Sequence, residues 1–218
     1  MIRTKIDYGI DLGTTNSAIS RMENGTIRII KSLDTQKDTT PSCIAVNQKG
    51  NLFVGDKAYL NYRSNSLKNL SNNTSFNSYI EFKRTMGTDK KYHSSFAEKD
   101  FSSEELSAEV LKRLKEYVQD ENISAVIVTV PAAFKNNQID ATRKAAQLAG
   151  FSHIEVLQEP VAASMAYGLE NLNKDGFWLV FDFGGGTFDT ALLKVEDGIM
   201  RVVDTEGDNY LGGKNLDF

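Results

Sequence analysis

The feature that most restricts the fold is a repeat. Ile10-Asp11-Leu12-Gly13-Thr14-Thr15-Asn16-Ser17 and, far downstream, Phe181-Asp182-Phe183-Gly184-Gly185-Gly186-Thr187-Phe188-Asp189 share one layout. Each has a strand-forming lead, an aspartate, an apolar residue, a glycine turn and a second strand. The likeness runs on past the turns. Residues 18–30 parallel residues 190–203 once a short insertion is allowed, and the two stretches turn on Asn24-Gly25 and Asp197-Gly198, strong hairpin dipeptides. Glycines without Cβ can take positive φ and let backbone N–H groups converge on an anion. An aspartate at the strand end offers an oxygen partner to a phosphate-bound Mg²⁺. One such turn alone also fits a plain hairpin with a flexible tip and solvated aspartates. Two diverged copies imply two lobes, whose facing turns would hold a polyphosphate between them.

Composition narrows the class. With 40% hydrophobic and 25% charged residues in 218, the chain has material for a sizeable core. A net charge of −4 argues against electrostatic binding to nucleic acid or an acidic membrane. No apolar run is long enough to span a bilayer, and residues 1–7 contain no signal-peptide core, so the expected compartment is the cytoplasm. Cys43 is the only cysteine and reads as a packing residue beside Ile44-Ala45-Val46. His93 and His153 are scattered, without metal-ligand spacing.

Residues 6–10, 17–22 and 26–31 read as a three-strand meander, and 42–46 as a further strand. Asp56 caps a short helix over 56–63, and the Asn- and Ser-rich stretch 61–78, with its sequon Asn72-Asn73-Thr74, reads as a surface loop. The spacing of Leu106, Val110, Leu114, Tyr117 and Val118, behind a Ser102/Glu105 capping box, predicts a helix over 102–122. Residues 124–130 form a β-branched strand suited to a sheet covered on both faces, stopped by Pro131. A helix over 135–149 closed by Gly150, a strand over 153–158 and a small-residue helix over 161–167 follow, and then the meander restarts. This order predicts an α/β lobe with a mixed sheet over residues 1–175 and the opening of a second lobe over 176–218.

With these residues in view, the chain resembles the N-terminal part of the seventy-kilodalton heat-shock chaperones, the DnaK family. The matching motifs are residues 9–17, Lys83-Arg84-Thr85-Met86-Gly87, Val128-Thr129-Val130-Pro131-Ala132, Glu159-Pro160-Val161-Ala162-Ala163, residues 181–189 and residues 207–213. Sugar kinases and actin share the duplicated layout, but Gly-Gly-Gly-Thr-Phe-Asp followed by Leu-Gly-Gly is similar to the chaperone branch. The resemblance implies an actin-like (ribonuclease H-like) ATPase fold, with lobe one complete and the first β-hairpin of lobe two present. It implies that Mg·ATP, or ADP, sits in the cleft between lobes. Gly13, Thr14, Thr15, Asn16 and the turn Gly184, Gly185, Gly186, Thr187 would hold the phosphates. Asp11 and Asp182 would hold Mg²⁺ through its waters. Lys83 matches an essential lysine aimed at the γ-phosphate, and Glu159 a glutamate that orders the attacking water. Asp182 and Thr187 belong to the same catalytic set. Asp189, with Thr187, would line the γ-phosphate or a K⁺ site.

Several positions depart from the family pattern. Asn16 stands where many members carry an aromatic residue, Ala133 replaces a tyrosine and Val161 a threonine. Ile139 and Glu155 stand where basic residues relay the nucleotide signal, so weakened coupling between domains is expected. The resemblance also implies that most of lobe two and the peptide-binding domain lie outside this chain, along with the contacts to unfolded peptide clients, a J-domain co-chaperone and an exchange factor. Two other readings stay open here: an actin-like phosphotransferase with Asp189 as base, and a nucleotide-sensing regulatory protein with little turnover.

Overall fold

A computed structural model describes residues 6–69, 77–168, 175–208 and 210–216. The chain opens with β1 (Tyr8–Asp11), β2 (Asn16–Glu23) and β3 (Thr26–Ile30), followed by β4 (Thr40–Pro41), β5 (Cys43–Val46) and β6 (Leu52–Val54). Helix α1 (Asp56–Asn69), β7 (Ser78–Ile80), a tight 3₁₀ turn (Phe82–Thr85), β8 (Tyr92–Ser94) and β9 (Lys99–Phe101) come next. Then come α2 (Ser103–Glu116), β10 (Ala125–Val130), α3 (Asn136–Leu148), β11 (His153–Gln158) and α4 (Glu159–Gly168). The described part ends with the meander β12 (Gly176–Phe183), β13 (Phe188–Glu196) and β14 (Ile199–Asp208) and a short turn (Gly213–Asn215).

The main sheet runs β11-β10-β1-β2-β3, with β4 paired to the start of β2. β1, β10 and β11 are parallel, while β1 to β3 form an antiparallel meander. Parallel strands need crossover connections, which α3 supplies between β10 and β11. The core gathers Ile10, Ile19, Val126 and Val128 of the sheet against Leu106, Val110, Leu111 and Leu114 of α2, with Phe82 and Met86 beneath. α3 packs on α2 through the small residues Ala141, Ala145 and Ala146. Two small sheets, β6-β5-β7 and β8-β9, accompany the main sheet, and a separate sheet, β12-β13-β14, is antiparallel throughout. Its middle strand buries Ala191, Leu193 and Val195, while Phe177, Leu179, Phe181 and Phe183 of β12 face outward and exposed. Helix α4 touches β10 and β11 on one side and β12 and β13 on the other, joining the main sheet to β12-β13-β14.

Two local expectations change. The loop predicted from residue 61 is helical as far as Asn69, its first part held by packing: Ala58 is buried with Cys43 and Ala45, Tyr62 packs against that cluster, and Tyr59 stacks on Tyr62. Tertiary contact overrides the weak helix propensity of Asn and Ser. The sequon at 72–74 lies outside the described residues. Conversely, α2 stops at Glu116 rather than 122. Asp120 and Glu121 would oppose the helix dipole at a C-terminus. Instead both pair with Arg21, and Glu121 accepts a 2.7 Å hydrogen bond from the Tyr8 hydroxyl.

Candidate functional site

The site grows from strand ends. β1, β10 and β11 run parallel and finish on one side of the sheet, at Asp11, Val130 and Gln158, so Asp11, Thr129 and Glu159 emerge together. Thr129 fixes Asp11 by donating a 2.9 Å hydrogen bond to its Oδ1. The first glycine turn is braced from behind by two buried serines. The Gly13 N–H donates to Ser17 Oγ at 3.1 Å, the Ser42 hydroxyl donates to the Gly13 carbonyl at 2.7 Å, and the Ser42 N–H donates to the Thr15 carbonyl at 2.8 Å. A side chain at Gly13 would stand 2.0 Å from the Asn16 carbonyl oxygen, so the turn's tightness requires glycine.

The second glycine turn lies against the first. The Gly184 N–H donates to the Thr187 carbonyl, and the Gly213 N–H donates back to the Gly184 carbonyl, both at 2.9 Å. A Cβ at Gly185 would come within 2.2 Å of Thr15 Oγ1, so here the two turns meet without side chains between them. Together they wall a cleft of about 420 Å³. Asp11, Gly13, Thr14, Thr15 and Asn16 line it from the first hairpin, and Asp182, Gly184, Gly185 and Thr187 from the second. Lys83, Thr129, Glu159, Ala162 and Ala163 complete it.

Lys83 Nζ lies 2.7 Å from Glu159 Oε1, with only 5% and 14% of the two side chains exposed. The Phe134 ring stands 5.7 Å from the same ammonium. Burial pushes the Glu159 carboxyl above the ordinary carboxylate range, Lys83 opposes that shift, and Asp11 and Asp182 add to it. Asp182 is likewise raised by burial and by Asp11, against the pull of Lys83. The cleft therefore gathers three carboxylates around one buried cation, an arrangement that a divalent ion relieves. Thr15 Oγ1 is buried with no hydrogen-bond partner among the described residues, the kind of orphan that a phosphate oxygen satisfies. The donor set and the charge balance both fit a metal-bound polyphosphate.

Two of the expected residues lie outside the cleft lining. Gly186 is buried, and its carbonyl accepts a 2.6 Å hydrogen bond from Arg84 Nη2. Asp189 pairs across the strands with Asp182 but is 4% exposed, behind the turn, and burial and Asp182 raise its pKa. Among the described residues no three His, Cys, Asp or Glu side chains stand close enough to bind a metal together. Sequence reading assigned no site role to Arg84, Thr129, Phe134 or Ser42. Thr129 and Arg84 lay inside quoted motifs, but nothing local told which way they point.

A mixed α/β protein whose two glycine turns close on a lysine- and carboxylate-lined cleft is consistent in class with the actin-like ATPases. The family model described as Hsp70 protein matches residues 7–218, and the chain belongs to that family. It is 38% identical over 216 residues to the "Chaperone protein DnaK" of Mycoplasmopsis agalactiae, covering 98% of this chain and 34% of the relative. The proteins of the same name from Thermosipho africanus and Metamycoplasma hominis are 39% and 40% identical, covering 96% of this chain and 34% and 33% of theirs. The chain thus spans about a third of the length of the curated relatives it matches. No helix among the described residues is long and apolar enough to cross a membrane.

Proposed function

We propose that this chain is the ATP-binding and ATP-hydrolysing part of an Hsp70-family chaperone, with residues 1–175 as the first lobe of an actin-like domain and 176–218 as the start of the second. The observation that carries the reading is the buried Lys83–Glu159 pair in a cleft walled by both glycine turns. Mg²⁺ and ATP supply the scissile phosphoanhydride bond and its charge neutralisation. Hydrolysis of that bond depends mainly on positioning and electrostatic stabilisation. Lys83 is a point charge on a flexible stem, able to leave Glu159 for a γ-phosphate oxygen as negative charge develops. Glu159, released, accepts a hydrogen bond from the attacking water. Thr14, Thr15, Gly185 and Thr187 position the phosphates, with Gly13, Asn16, Gly184 and Gly186 shaping the turns. Asp11 and Asp182 would hold Mg²⁺ through its waters, which that ion sheds reluctantly.

The near-complete burial of Asp189 favours this reading over a phosphotransferase, because a base acting on a bulky substrate needs an open approach. With Thr187, Asp189 suits a small K⁺ site behind the turn. The relatives are named as chaperones, which supports unfolded peptide clients for the whole protein; a J-domain co-chaperone, an exchange factor and a cytoplasmic location belong to the same proposal. Relay to a peptide-binding domain is weakened, since Glu155 is exposed and acidic and Ile139 carries no charge.

Lys83→Met in the whole protein tests the reading. Single-turnover hydrolysis should fall roughly a hundredfold or more, with ATP affinity changed much less. Near-normal rates would show that Lys83 is a structural partner of Glu159 and nothing else.

A further inference from the structure

The neighbour of Lys83 carries a different task. Lys83 and Arg84 share the turn Phe82–Thr85, yet Lys83 enters the cleft while Arg84 crosses to the other hairpin. Arg84 Nη2 donates to the Gly186 carbonyl at 2.6 Å. Its guanidinium carbon stands 5.6 Å from the centroid of the Tyr210 ring, beyond β14. Arg84 Nη1 is 3.1 Å from Glu81 Oε2, and the arginine side chain is 15% exposed. Glu81, which starts the turn, holds a left-handed backbone (φ 57°) that a glutamate adopts only when its surroundings impose it. The arginine is therefore anchored on its own side and grips two separate parts of the second meander. Gly186 accommodates that grip: a Cβ there would lie 2.7 Å from Arg84 Nη2 and 3.0 Å from Thr14 Cγ2.

We infer that Arg84 is a positioning residue that straps the second glycine turn to the first lobe and so sets how fast nucleotide leaves the cleft; this rests on the nucleotide-binding reading above. Releasing a nucleotide held between two turns requires them to part. Arg84 is the side chain whose contacts must break as Gly186 and Tyr210 move away. The planar guanidinium suits the task, because one edge bonds a carbonyl while its flat face stacks towards a ring. Arg84 Nε is buried without a hydrogen-bond partner among the described residues, so the strap is incompletely satisfied and opens at limited cost.

The test uses the whole protein and a fluorescent methylanthraniloyl-ADP with Mg²⁺. Arg84→Met and Tyr210→Ala should each speed release by about tenfold, the loss expected of one charge-assisted bond or one ring contact in a shared clamp. The double variant should release no faster than Arg84→Met, and Tyr210→Phe should behave as wild type. Single-turnover hydrolysis of pre-bound ATP should change little, separating Arg84 from Lys83. Hydrogen exchange without nucleotide should rise over residues 183–188 in Arg84→Met, while α2 keeps its protection. Wild-type release and wild-type exchange in Arg84→Met, or additive effects in the double variant, would overturn the strap while leaving the functional reading intact. Tyr210→Ala alters an exposed ring and remains a usable test if Arg84→Met does not fold. A wild-type protein that holds no nucleotide would overturn the functional reading and the release role with it.

Discussion

Glycine placement gives the sharpest test available from single residues. Gly185→Ala puts a methyl 2.2 Å from Thr15 Oγ1 and 2.9 Å from its Cβ, atoms close to the backbone that cannot swing away cheaply. The turns must separate, and isothermal titration with Mg·ADP should show affinity at least about tenfold weaker. Gly176→Ala is the control, because a Cβ there meets nothing within 4 Å, and its affinity should match wild type. Equal binding by both variants would mean that the turns do not need to touch. The glycines and Asp11 and Asp182 were legible in the sequence because each sits in a repeated local pattern. Lys83 and Glu159, 76 positions apart, carried no such pattern and were assigned through resemblance alone. Arg84 and Gly186 are 102 positions apart, and no local rule links an arginine to a distant carbonyl.

Among the elements, α2 depends on what happens at its first turn. Ser102 Oγ accepts from the Glu105 N–H at 3.2 Å while Glu105 Oε2 accepts from the Ser102 N–H at 2.8 Å, the capping box expected from the sequence. Glu104 beside it is buried and accepts a 3.2 Å hydrogen bond from the Gly87 N–H, tying the end of the Lys83 motif to the helix. Burial alone would raise the Glu104 carboxyl. Hydrogen bonds from Ser102 and from the backbone of Glu104 and Gly87 outweigh it and hold the group below its usual 4.5. A lowered folded value means that Glu104 stabilises the fold above the unfolded pKa and ceases to as pH falls through the folded one. Glu104→Gln should therefore cost about 1 kcal/mol at neutral pH, and in urea melts the gap to wild type should close as pH falls below the ordinary carboxylate range. A constant gap would assign the cost to packing. The long elements were readable because α2 and the strand before Pro131 repeat their signals over many residues. β6, β7, β8 and β9, three residues each, are too short to establish a period, and α1 showed no apolar face to read.

For the molecule as a whole, the surface matters more than the core. Phe177, Leu179, Phe181 and Phe183 lie exposed along one face of β12, with Ile199 and Val203 exposed on β14. An apolar sheet face of this kind drives association. The 218-residue polypeptide should self-associate at micromolar concentration, and Phe177→Thr with Phe181→Thr should shift it towards monomer in size exclusion with light scattering. A monodisperse wild-type chain at those concentrations would show that the face tolerates water. That β12–β14 form a strand meander like that of β1–β3 was legible from the repeat. The bridging position of α4 was not, since its small residues announced close packing without naming the neighbour.

The direction of the strands has a practical consequence for anyone wishing to label or rewire this protein. Every strand that ends or begins at a glycine turn has its other end on the far side of its sheet, where Asn24-Gly25 and Asp197-Gly198 close the hairpins and the chain re-enters β10 and β11. Nothing stands within 4 Å of a Cβ built at Gly25 or Gly198, but both hold a positive φ (79° and 73°), so a label belongs beside these glycines rather than in place of them. A dye, an epitope or a guest domain spliced at either tip would sit a strand's length from the cleft, so the two tips are natural attachment points for reporting on the two sheets separately.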